Sequence, residues 1–163
     1  MDGNPLTLVG TPVGEGSQAP DAPLTGVDMA PVSLMDTGTD KTKIIIAVPS
    51  VDTKVCSLES KTFSDRVKDL GPDVAAYVVS ADLPFALKRW GETENVDNIT
   101  LLSDYKTGDW GRAWGIHVKE AALLARAVYV VDKNGTVTYS EIVPEISSEP
   151  NYDAALAAAQ DAK

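Results

Sequence analysis

The sequence predicts an α/β layered domain with a mixed central sheet, and three observations predict it. "KIIIAVPS", Lys43 to Ser50, is an almost unbroken β-branched run of the kind buried on both faces of a sheet. The next segment, Lys54 to Leu70, changes period, with Val55, Leu58, Thr62, Phe63 and Val67 recurring at helical spacing between charged residues. Further on, two alternating β-branched runs in "RAVYVVDKNGTVTYSEIV" flank Asn134-Gly135, a strong hairpin signal. Strand, helix and strand in succession make a parallel unit, and the hairpin adds antiparallel pairing beside it.

The elements follow in order. The first 25 residues are rich in Gly, Pro, Ser and Thr. "LTLVG" is a short strand candidate, and "TPVGEGSQAPDAPLTG" reads as loop because Pro12, Pro20 and Pro23 interrupt it. "MAPVSLMD" is a weak strand candidate. Gly71-Pro72 stops the helix that begins at Lys54. "VAAYVVS", residues 74 to 80, is the next strand, and "PFALKRWGE" is a short helix opened by Pro84. "NITLLSD" is a strand, "TGDWGRAWGI" a short Gly-rich helix, and "NYDAALAAAQDAK" an Ala-rich final helix. The order is β-α-β-α-β-α-β-β-α after an N-terminal extension. No linker divides the chain, so residues 1–163 read as one domain.

The totals narrow the function classes. The chain has 163 residues, 44% of them hydrophobic, enough for a core without disulfide staples. Its net charge of −10 with no basic cluster argues against a nucleic-acid partner and against an anionic membrane surface. No apolar run approaches the roughly 20 residues of a membrane helix. "MDGNPLTLVG" lacks the pattern of a signal peptide, so a cytoplasmic location is expected. One cysteine, Cys56, and one histidine, His117, leave no set for a zinc site or an internal disulfide. No metal or cofactor is expected, and any redox chemistry within one chain rests on Cys56.

Cys56 follows a buried strand and a proline turn, at the start of a helix. Ligands gather beyond the carboxyl ends of strands in open α/β sheets, and helix starts favour a thiolate over a thiol. Thr53, three residues earlier, can cap the helix or reach the sulfur, and Pro49 can wall the sulfur from solvent. The alternative is that Cys56 is a small inert hydrophobe, as buried free cysteines commonly are. The layout is thioredoxin-like, with Thr53 where the first cysteine of a C-x-x-C pair would stand.

"PSVDTKVCSLESKTF" closely resembles the active-site segment of peroxiredoxins, Pro-x-x-x-Thr-x-x-Cys, with Pro49, Thr53 and Cys56 at matching positions. The Asp-Thr-x-Val-Cys form resembles the bacterial thiol peroxidase branch. "GNPLTLVGT", "PVSLMD", "SADLPFALKRW", "LLARAVYVVDKNGTV" and "EPNYDAALAA" extend the resemblance over nearly the whole chain. The resemblance implies a thioredoxin-like fold. It also implies reduction of hydrogen peroxide and alkyl hydroperoxides through a Cys56 thiolate and a sulfenic acid. Arg126 takes the place of the family's catalytic arginine, whereas taken alone it reads as a solvated charge at a strand end. A thiol reductant, thioredoxin in most members, and a homodimer are implied as well.

One departure matters. Typical thiol peroxidases carry a resolving cysteine just after the segment matching "LPFALKRW", and this chain has Gly91 there. An external thiol is then expected to reduce the sulfenic acid, and the assignment to thioredoxin weakens because its usual target disulfide is missing. The competing reading is a non-enzymatic thioredoxin-fold module whose lone thiol senses oxidants or binds a partner. Among the remaining candidates, Trp90, Trp110 and Trp114 read as packing residues, His117 as loop or helix-end packing, and Glu59 as a surface charge turned to solvent.

Overall fold

The computed structural model describes residues 1–163. In chain order its elements are β1 (Leu8–Val9), β2 (Pro23–Gly26), β3 (Pro31–Ser33), β4 (Thr42–Ala47), α1 (Lys54–Val67), β5 (Val74–Ser80), α2 (Pro84–Thr93), β6 (Thr100–Ser103), α3 (Asp109–Ala113), β7 (His117–Val118), β8 (Leu123–Leu124), β9 (Ala127–Val131), β10 (Val137–Ile142) and α4 (Tyr152–Asp161). Seven strands form one mixed sheet in the order β10-β9-β4-β5-β6-β2-β3. β4, β5 and β6 run parallel, while β9 is antiparallel to β4 and β2 is antiparallel to β6. A second, three-stranded sheet has the order β1-β7-β8. No helix is long and apolar enough to cross a membrane.

β4 lies inside the sheet and is buried at every position, which is why its sequence is apolar throughout rather than alternating. Alternation still sorts its side chains between two cores. Ile44 and Ile46 face one core with Cys56, Phe63, Leu87, Trp90 and Leu156, so α1, α2 and α4 cover that side. Ile45 and Ala47 face the other with Trp110, Trp114, Val118 and Leu124, so α3 and the small sheet cover the opposite side. The cysteine therefore sits in one layer and the stacked Trp110–Trp114 pair in the other.

The parallel unit, the hairpin and the helices lie where the sequence predicts them. Three local readings are corrected. "PLTG" is a strand, not loop: Pro23 occupies the first strand position, where its missing N–H interrupts no ladder, and β2 pairs with β3 and β6. His117 lies in β7, paired with Val9 and Leu124, rather than at a loop or helix end. The hairpin loop spans residues 132–136 rather than Asn134-Gly135 alone. Gly135 N donates to Asp132 O at 3.0 Å, and of the loop residues only Gly135 has positive φ, so this is the longer turn with a glycine bulge.

The helical stripe on α1 is also shifted. The buried positions are Cys56, Glu59, Ser60, Phe63, Ser64 and Val67, whereas Leu58 is 52% exposed. Phe63→Ala should therefore cost about 3–5 kcal/mol in urea unfolding. Leu58→Ala, nominally on the same apolar stripe, should stay within about 0.5 kcal/mol of the parent.

Candidate active site

α1 begins just beyond the C-terminal end of β4. Pro49 is buried and ends the strand run, and the chain turns through Ser50–Asp52. Thr53 has extended backbone (φ −93°, ψ 149°) and is the N-cap of α1, its Oγ1 accepting from Cys56 N at 3.4 Å. Thr53 Oγ1 donates its own proton to Ser50 O at 3.0 Å. Cys56, the third residue of α1, is fully buried. Its sulfur is set where unpaired helix N–H groups concentrate partial positive charge.

Arg126, immediately before β9, reaches the same sulfur. Its Nη2 donates to Cys56 Sγ at 3.2 Å, across 70 residues of sequence. The guanidinium is held by two further partners. Nε and Nη2 donate to Ile146 O at 3.0 and 2.8 Å, and Nη1 donates to Glu59 Oε2. Arg126 is 2% exposed, so it is no solvated strand-end charge. Burial works against its charge, but the Glu59 carboxylate and the Cys56 sulfur hold its proton above the ordinary range. Of the four predicted site residues, Arg126 touches the Cys56 sulfur, Thr53 caps the Cys56 amide, and Pro49 is buried just before the turn.

Glu59 corrects the expectation of a solvent-facing charge. It is fully buried and paired with Arg126, and its Oε1 has no partner. Cys56 and Glu59 are three apart, so they share one face of α1. A charged residue at that spacing from a helix-start cysteine was the available signal, and the average habit of carboxylates to face water concealed it. Burial pushes the Glu59 carboxyl up to about 7, with the Arg126 charge pulling it back down.

Two cavities flank this arrangement, and neither includes Cys56 in its lining. One, about 400 Å³, has Arg126 on its wall together with Leu6, Leu8, Ile142 and Val143. The other, about 470 Å³, is an open groove between the start of α1 and α2, lined by Thr53, Ser57 and Trp90 among others. Trp90 Nε1 donates to Ser57 Oγ at 3.0 Å, and Trp110 and Trp114 are wholly buried in the other core, so the tryptophans pack as the sequence predicts. Gly91, next to Trp90, is buried in α2, and a Cβ there would come within 2.9 Å of Leu101 Cδ1. The leucine fills the space a side chain would take.

Fold and site together define a thioredoxin-like α/β protein with one buried thiol under an arginine. The chain belongs to the Redoxin family, whose model matches residues 14–156. It is 45% identical to the thiol peroxidase of Clostridium acetobutylicum, covering 99% of this chain and 96% of that one. It is 42% identical to the thiol peroxidase of Bacillus subtilis, over 97% and 93% of the two chains. Among solved structures it is similar to a peroxiredoxin-like protein from Aquifex aeolicus, with a TM-score of 0.92 and 38% identity over 99% of this chain and 95% of that one.

The buried carboxyl generates a pH prediction. Its folded-state value lies above the ordinary 4.5, so its contribution to stability is fully present below about 4.5 and is lost as pH rises through about 7. Glu59→Gln removes that titration and keeps an acceptor for Arg126. Urea midpoints at pH 5 and pH 8 should show the wild type losing stability relative to E59Q over that interval. Parallel curves for the two proteins would disprove the assignment.

Proposed function

We propose that this protein is a one-cysteine, thiol-dependent peroxidase that reduces hydrogen peroxide and alkyl hydroperoxides. The observation that carries the reading is the Arg126 Nη2 to Cys56 Sγ contact at 3.2 Å, at the first turn of a helix. An inert core cysteine needs no buried guanidinium, and burying one costs several kcal/mol by itself, as an order of magnitude. A module that only sensed oxidants would need no fork to orient a peroxide.

In this reading the Cys56 thiolate attacks the terminal oxygen of the hydroperoxide. An S–O bond forms, the O–O bond breaks, and two electrons pass from sulfur to the peroxide. The departing alkoxide or hydroxide takes up a proton and leaves as alcohol or water. Arg126 and the first amides of α1 stabilise the charge that moves onto oxygen, and Thr53 orients the reacting atoms. Cys56 is then a sulfenic acid. A second thiol attacks that sulfur, expels water and leaves a mixed disulfide, and a further thiol releases Cys56 in its reduced form.

With Gly91 in α2, the second thiol comes from another molecule, thioredoxin or a small thiol. Because Cys56 is fully buried, the Pro49–Thr53 turn or its covering side chains move to admit it. The same reading takes residues 1–163 as one domain working as a homodimer in the cytoplasm. An unpaired cysteine supports a reducing compartment. Leu83 and Phe85, 52% and 65% exposed beside the turn, support a surface for a second copy.

Peroxide consumption with a small dithiol as reductant tests the reading. Wild type should turn over and Cys56→Ser should not. Arg126→Ala should lose about a hundredfold in rate while remaining folded, as expected when one oriented donor is removed. Near-normal rates in R126A would remove the arginine from the mechanism.

The missing internal thiol has its own consequence. An attached resolving cysteine acts at high effective concentration, and here that advantage is absent. Graded peroxide without reductant, followed by intact mass, should give monomer gaining two or three oxygens. A protein that remains fully reduced under excess peroxide would refute the peroxidase assignment.

A further inference from the structure

A chain of hydrogen bonds runs to Cys56 from a residue that the mechanism above does not use. Asp82 lies between β5 and α2, in "SADLP". Its carboxylate accepts three hydrogen bonds: from Ser50 Oγ at 2.7 Å, from Val51 N at 2.9 Å and from Ser80 Oγ at 2.8 Å. Ser103 Oγ donates to the Asp82 carbonyl. Ser80 and Ser103 end β5 and β6, and Ser50 follows β4, so this one residue ties together the ends of all three parallel strands.

The chain continues inward. Ser50 O accepts from Thr53 N at 3.1 Å and from Thr53 Oγ1 at 3.0 Å. A hydroxyl has one proton, so with that proton committed to Ser50 the Thr53 oxygen offers only lone pairs to Cys56 N. Where the Thr53 oxygen points is set by the Ser50 carbonyl, and the position of Ser50 is set by Asp82.

We propose that Asp82 is a positioning residue for peroxide reduction: through Ser50 and Val51 it fixes the turn that places the Thr53 hydroxyl and the first amides of α1 around the Cys56 sulfur. This rests on the peroxidase reading. A clamp of this kind also stabilises the fold, and the test must separate the two effects. Breaking an O–O bond needs oriented donors, whereas alkylation needs only a reachable thiolate.

The experiment compares second-order rate constants of Cys56 with hydrogen peroxide and with iodoacetamide, at a temperature where every protein is folded. Asp82→Ala should lose about tenfold to a hundredfold with peroxide, the scale of a misplaced reacting geometry, while its alkylation rate changes by no more than about threefold. Asp82→Asn should recover most of the peroxide rate, because the amide oxygen still accepts from Val51 N and the amide nitrogen can donate to a serine hydroxyl. A D82A protein within about twofold of wild type with peroxide overturns the proposal, as does an equal loss in both reactions. A D82N protein as slow as D82A overturns it too. If D82A does not fold, Ser50→Ala removes one of the three bonds to the Asp82 carboxylate, together with the Asp52 N bond to Ser50 Oγ, and leaves the Val51 bond. It should show a smaller loss confined to peroxide, and no such selective loss overturns the proposal. A wild type that is alkylated but never reduces peroxide sinks the peroxidase reading itself, whereas an active wild type with an unimpaired D82A sinks only the role of Asp82.

Discussion

A buried guanidinium is the constraint around which this site is built. Taking a cation out of water costs several kcal/mol, as an order of magnitude, unless its donors are all met. Arg126 has three partners for that purpose: the Ile146 carbonyl, the Glu59 carboxylate and the Cys56 sulfur. Two of them lie on one face of α1 and the third in the loop after β10, so that loop, the buried face of α1 and the start of β9 have to meet at one point. The buried carboxylate on α1 follows from the same requirement. A charge of the opposite sign makes burial of Arg126 tolerable, and burial in turn raises the proton affinity of that carboxyl.

Arg126 therefore faces two partners on α1, the Glu59 carboxyl and the Cys56 sulfur. Any proton on Glu59 leaves more of the field for sulfur. The helix start contributes a second source of positive potential that does not titrate. Across the sheet, the stacked Trp110 and Trp114 fill the other core and take no part in this electrostatics. The alternation of β4 performs this separation, sending Ile44 and Ile46 toward the thiol layer and Ile45 and Ala47 toward the tryptophans.

How much of this was legible in the sequence depended on whether the signal was local. The β4 run, the β5 strand and the helix start at Thr53 are written in neighbouring residues, and they lie where the pattern put them. Arg126 and Cys56 are 70 residues apart, and no local period links them; only the resemblance to peroxiredoxins selected the arginine. Glu59 departs from expectation because the general exposure of carboxylates outweighs, in a sequence, its position on the cysteine face of α1. Leu58 departs in the complementary way, an apolar residue next to a stripe whose buried positions include a thiol, a carboxylate and two serines beside Phe63 and Val67. A functional face breaks the rule that apolar means inside, and periodicity then points one residue away. Asp82 lies in a segment of the peroxiredoxin resemblance, but no local pattern marks its role, since its hydrogen bonds depend on how three strand ends converge.

Gly91 shows how α2 packs around a residue with no side chain. Glycine inside a helix costs about 1 kcal/mol relative to alanine, and a void in its place would add to that. Leu101 from β6 occupies the space instead, so α2 stays packed. Polar contacts link this region to α1 as well: Trp90 to Ser57, Arg89 to Asp52 in the turn before α1, and Glu94, just past α2, to Lys61 in mid-α1. The two ion pairs are exposed and individually weak, and Asp52, Lys61 and Glu94 line the groove beside Thr53. In the proposed peroxidase cycle a thiol from another molecule has to reach a fully buried Cys56, so its regeneration is coupled to movement of the packing around the sulfur.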